Sequence, residues 1–166
     1  MPREEVIKKL DNADNMKHWQ RGLLAYNFVE GTPGQVGAKM DLEYQMGKRN
    51  LKMTETITEN NFPTAFHANY QTKGVNNIQR NFFHEEDGGQ KTRWESQSEF
   101  QFDSFGMKLM GWLMPGAFKK QSMKYMQDFK AFAEHGTSVA NGCLKPFIMS
   151  PHTFRKYQCL QRISIP

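Results

Sequence analysis

Much that would place a chain at a glance is missing here. Only two cysteines occur in 166 residues, Cys143 and Cys159. No disulfide framework can hold the fold, and their spacing is not that of a metal-binding CxxC pair. No run of about 18 apolar residues exists, which excludes a membrane-spanning helix. The opening MPREEV is charged and has no apolar core. The expectation is a chain without a signal peptide, in a cytoplasmic setting. The histidines His18, His67, His84, His135 and His152 are scattered. They form no HExxH or paired spacing, so neither a metal nor another cofactor is expected. The GxSxG, phosphate-loop and dinucleotide fingerprints are absent too.

Acidic side chains are missing from one region. Residues 137–166 hold four of the 22 basic side chains and none of the 17 acidic ones, which leaves 18 against 17 in residues 1–136. The net charge of +5 thus collects in the tail. A nucleic-acid binder carries its basic patch on the folded domain, so no nucleic-acid partner is expected.

What is present suits one folded domain. Hydrophobic residues make up 38% and aromatics 13%, enough for a core at this length. PREEVIKKL (residues 2–10) predicts a short helix, with Pro2 at its start, Glu4 and Glu5 near the positive end and Lys8 and Lys9 near the other. Asp11 or Asn12 can cap a second short turn that carries Met16 and Trp19 inward. The period then changes. GLLAYNFVE, AKMDLEYQM, LKMTETIT, TAFHANYQT, VNNIQRNFFHE and KTRWESQSEFQF alternate as half-buried strands with turn signals between them, which predicts an antiparallel meander of about six strands.

A long helix follows. Phe118, Ser122, Tyr125, Phe129 and Phe132 recur at helical spacing, and a sheet with one apolar face needs such a cover. Around it, Met107, Met110, Met114, Met123 and Met126 cluster, with Pro115 expected to kink or interrupt the helix. The methionines read either as core or as a cavity wall or gate, because methionine repacks readily around varied partners. Residues 137–166 show no helical period. RKYQCLQRISI is a weak strand, and an irregular tail is the expectation.

The stretches PREEVIKKLDNADNMKHWQRGL, VEGTPGQVGAKMDLEY, MTETITE and FKKQSMKYMQDFKAFAEHG resemble bacterial members of the SRPBCC superfamily, the START, polyketide-cyclase and birch-pollen-allergen group. The resemblance covers nearly all of residues 2–136. It implies an α+β helix-grip fold: a curved antiparallel sheet around a long C-terminal helix, with two short N-terminal helices. It also implies a cavity between sheet and helix that takes small hydrophobic molecules. Members of that group usually begin with a further edge strand. Here either the strand is missing, which leaves an edge where a second copy could pair as a homodimer, or the tail supplies a substitute.

The expected site is the face of the sheet that looks at the helix. Met40, Leu42, Tyr44, Met53, Glu55, Tyr70, Gln79, Trp94, Ser96 and Phe100 come from the strands, and Met110, Met114, Phe118 and Tyr125 from the helical region. Polar groups among apolar ones need partners, which a ligand or water in a cavity would provide. A register slip or bulge that turns them to solvent is the competing explanation. The reading is binding of a small hydrophobic, lipid- or polyketide-like molecule. The alternative is a cyclase, dehydratase or hydrolase with Glu55 or a strand histidine as acid or base. A third is an interaction module with a closed core.

Overall fold

The computed structural model describes residues 1–103, 115–140 and 158–166, without the side chains of Pro115, Ala117, Phe118, Gln158 and Cys159. The described helices are α1 (Arg3–Leu10), α2 (Met16–Trp19) and α3 (Pro115–His135). The strands are β1 (Leu23–Glu30), β2 (Lys39–Met46), β3 (Arg49–Asn61), β4 (Ala65–Thr72), β5 (Val75–Glu86), β6 (Lys91–Phe102) and β7 (Gln158–Ile165). They form one α+β fold with a seven-stranded sheet in sequence order, every neighbouring pair antiparallel.

Local chemistry accounts for the elements. Pro2 precedes the first turn of α1, the acids Glu4 and Glu5 occupy that turn, and Lys8 and Lys9 occupy the last; each charge lies where the helix dipole favours it. Asn12 caps the next turn by accepting from the Asp14 amide at 2.9 Å. Alternation in β2 buries Met40, Leu42 and Tyr44 and leaves Asp41 and Gln45 outside. Gly31 sits at φ 75°, and a Cβ there would meet the Ala38 Cα at 2.9 Å, so only glycine fits where β1 turns back toward β2. Helix α3 begins at Pro115, a position whose missing amide hydrogen costs nothing.

Phe129 of α3 is the centre of the core. It is wholly buried and meets Trp19 and Trp94 edge-on, at ring-centroid distances of 5.4 and 5.5 Å. Phe83, Met126, Val6 and Ile165 complete the cluster. Each such side chain contributes on the order of 1.5–3 kcal/mol by leaving water. A buried ion pair fastens α3 beside it. The Arg21 guanidinium donates twice to Asp128, at 3.1 Å each, and Lys124 adds a contact at 3.1 Å.

Residues 158–165 differ from the irregular tail expected of them. They form β7, paired with β6 from Thr92↔Ile165 to Glu99↔Gln158, which makes the sheet seven-stranded. Arg162, counted above with the tail's basic excess, bonds Glu95 at 2.8 Å. Lys130 of α3 donates to the Ser164 carbonyl at 2.8 Å. The Met1 amine donates to the Ile165 carbonyl at 3.3 Å. The β6 edge, where a missing strand would have invited a second copy, is thus occupied by the chain's own tail. At the opposite edge, β1 exposes Leu24, Phe28 and Val29. No described helix is long and apolar enough to cross a membrane.

Candidate ligand cavity

Direct cross-strand partners point to the same face of a sheet. Met40, Glu55, Tyr70, Asn77 and Phe100 are such partners in succession from β2 to β6. A second row runs through Phe66, Asn81, Ser96 and Gln161. These side chains look toward α2 and α3, and between the layers lies a cavity of about 600 Å³. Its helical wall is Met16, Trp19, Gln121, Ser122, Tyr125 and Met126.

The predicted residues sort plainly. Met40 and Tyr44 of β2, Met53 and Glu55 of β3, and Tyr70 of β4 line the cavity. So do Gln79 of β5, Trp94, Ser96 and Phe100 of β6, and Tyr125 of α3. Leu42, almost wholly buried, belongs to the packed core and is not part of the cavity lining. Met110, Met114 and the Phe118 side chain lie outside the described residues.

Polar groups form a band across the inner face. At one end stand the Glu55 carboxyl and the Tyr70 hydroxyl, on direct cross-strand partners. Burial pushes the Glu55 carboxyl above its usual range, and the Tyr70 hydroxyl pulls it partly back. Burial also raises the Tyr70 hydroxyl well above the ordinary phenol value, with the Glu55 charge adding to the effect. Tyr44 is raised for the same first reason and donates to the Gln20 side-chain oxygen. Burial pushes Tyr125 up to about 12.

Further along, the Trp94 indole donates to the Asn81 side-chain oxygen at 3.0 Å. The Asn81 amide donates to the Phe66 carbonyl at 3.2 Å. Gln79 donates to Ser96 at 3.4 Å, and Gln161 of β7 donates to the Lys119 carbonyl of α3. These bonds hold amide side chains in place on an otherwise apolar face.

The strand histidines stand elsewhere. Alternation carries His67 to the face opposite Phe66 and Tyr70, where it meets Glu59 at 2.8 Å. His84 is exposed and paired in register with Arg93. Among the described residues no three of His, Cys, Asp and Glu gather at one point. Sequence reasoning overlooked Gln20, Gln121 and Gln161, because isolated glutamines outside a legible strand carry no signal of burial.

No family model matches the chain. No curated protein matches it either. Four solved chains do. One is a Staphylococcus aureus protein described as of unknown function; it is 10% identical, has a TM-score of 0.54, and the likeness covers 81% of this chain and 90% of that one. At that identity the similarity is one of fold.

Proposed function

We propose that the chain binds one small hydrophobic molecule, of lipid or polyketide type, between the sheet and α3. The observation that carries this reading is the cavity of about 600 Å³. At about 30 Å³ per non-hydrogen atom it would take a molecule of roughly 20 such atoms. A mostly apolar lining with a few fixed polar groups suits desolvation-driven binding, with the amides and Glu55 orienting the guest. The SRPBCC-like stretches and the helix-grip arrangement they imply support the same reading.

The second reading is acid–base catalysis by Glu55. Its support is the raised carboxyl in the cavity wall, the kind of group such chemistry uses. Binding is preferred because the strand histidines, the other proposed acid–base groups, lie away from the cavity wall. Native mass spectrometry of gently purified protein tests the proposal: a bound organic mass released on activation is expected. An empty protein that also fails to take up an uncharged hydrophobic dye would refute it.

A further inference from the structure

The described wall of the cavity has an unusual charge content. Its carboxyls are Asp11 and Glu55, and no Lys, Arg or His stands beside them among the described residues. Yet the chain carries 22 Lys and Arg. Several of these are spent on carboxylates: Arg21 on Asp128, Arg80 on Glu99, Arg93 on Glu86 and Arg162 on Glu95. A buried anionic ligand would find no cation in that wall. It would also lie near the Glu55 carboxylate, and burying an unpaired charge is costly.

On the sheet side of the cavity the polar groups have spare capacity to accept, while on the helical side Trp19 Nε1 and Gln121 Nε2 are buried donors with no partner among the described residues. A carboxylate has about four acceptor positions, and the cross-strand partner Tyr70 can fill at most one of them at Glu55. Asn77, the cross-strand partner of Tyr70, has a buried side-chain oxygen with no hydrogen-bond partner among the described residues. Two acceptors thus stand on one cross-strand row of an apolar wall. Buried acceptors are normally satisfied, and a ligand that brings donors would satisfy them.

Resting on the binding reading above, we infer that the ligand carries no negative charge and presents a hydroxyl or ammonium hydrogen to this row, at Glu55 or Asn77. A fatty-acid carboxylate is then the wrong guest, whereas an alcohol or amine with the same apolar body is the right one. Hydroxyl and ammonium share the donor chemistry that the wall selects, and experiment separates them.

The test uses the full chain and three straight-chain probes that share a ten-carbon tail: decanol, decylamine and decanoate. Each competes with an uncharged hydrophobic dye at near-neutral pH. The alcohol or the amine should bind at least about 10-fold tighter than decanoate, a difference of about 1.4 kcal/mol. Preference for the alcohol identifies hydroxyl recognition, and preference for the amine identifies ammonium recognition. In Glu55→Gln, which keeps the shape and removes the charge, the margin over decanoate should shrink several-fold. Decanoate binding as tightly as the others, or tighter, overturns the head-group inference and leaves the binding reading standing. If neither the dye nor any probe binds, both fall.

Discussion

Tyr70 and Glu55 are direct cross-strand partners, and the tyrosine hydroxyl and the carboxylate act on each other inside a largely apolar cavity. Two neighbouring strands therefore present one acid–phenol pair where an all-apolar wall would have packed without cost. The pair is a departure from core logic, and the proposed function is built around it.

The first prediction concerns pH. The folded-state value of Glu55 is raised above its ordinary one, so the native state holds the proton more tightly than the unfolded chain. Its contribution is most favourable below the ordinary carboxylate value of 4.5 and is lost as pH rises through the folded value. The groups facing it are Tyr70, its cross-strand partner, and Tyr44, through its charge. Both stay protonated across this window, so Glu55 is the member of this cluster that titrates there, while Asp11, raised by burial, and Glu95, lowered, add slopes of opposite sign elsewhere. Urea denaturation at a series of pH values should show the wild type losing stability relative to Glu55→Gln as pH rises through that range. An identical slope in the two proteins would contradict the assignment.

A second prediction follows from the ion pair behind α3. The Asp128 side chain is 6% exposed and that of Arg21 26%. Removing the arginine takes two hydrogen bonds from a buried carboxylate and leaves it to the more exposed Lys124, whereas removing the aspartate leaves a guanidinium near water. Arg21→Met should thus cost about 2–3 kcal/mol and Asp128→Asn about 1 kcal/mol. The order of the two losses, measured by chemical denaturation, is the informative result, and equal losses would count against the account.

The tail strand makes a third. Ile165 is wholly buried although it lies one residue from the end of the chain, and Leu160 on the same strand is 45% exposed. Ile165→Ala should cost about 3 kcal/mol, while Leu160→Ala should stay within about 0.5 kcal/mol. If the strand were loosely attached, both substitutions would be silent.

That strand also marks where the sequence stops being legible. β2 is plain from sequence because its buried residues are apolar and its outer ones polar, and β6 because small or aromatic residues alternate with charged or amide ones, so alternation reads directly. In β7 the pattern is inverted at Leu160 and Gln161: the polar residue is buried and the apolar one faces water. Gln161 turns inward to join the polar band and reach α3, and no hydrophobic periodicity records such a bond. The same holds for Asp128, whose local surroundings on α3 read as a solvated face. Its partner Arg21 is 107 residues away, beyond the reach of any local pattern. The inner-face position of Glu55 was readable from the alternation of β3. Its pairing with Tyr70 was not, since that depends on the register between two strands.

The most direct test of the cavity is to fill it. Ser96 lies in the polar band and is almost wholly buried in the wall, so Ser96→Phe would place an aromatic ring in the space meant for the guest. The measurement is fluorescence titration with an uncharged solvatochromic dye such as Nile red, on wild type and variant, with circular dichroism to confirm that both are folded. The account predicts saturable enhancement for the wild type and at least about 10-fold weaker binding for the folded variant. Equal binding by both proteins, or none by the wild type, would contradict it.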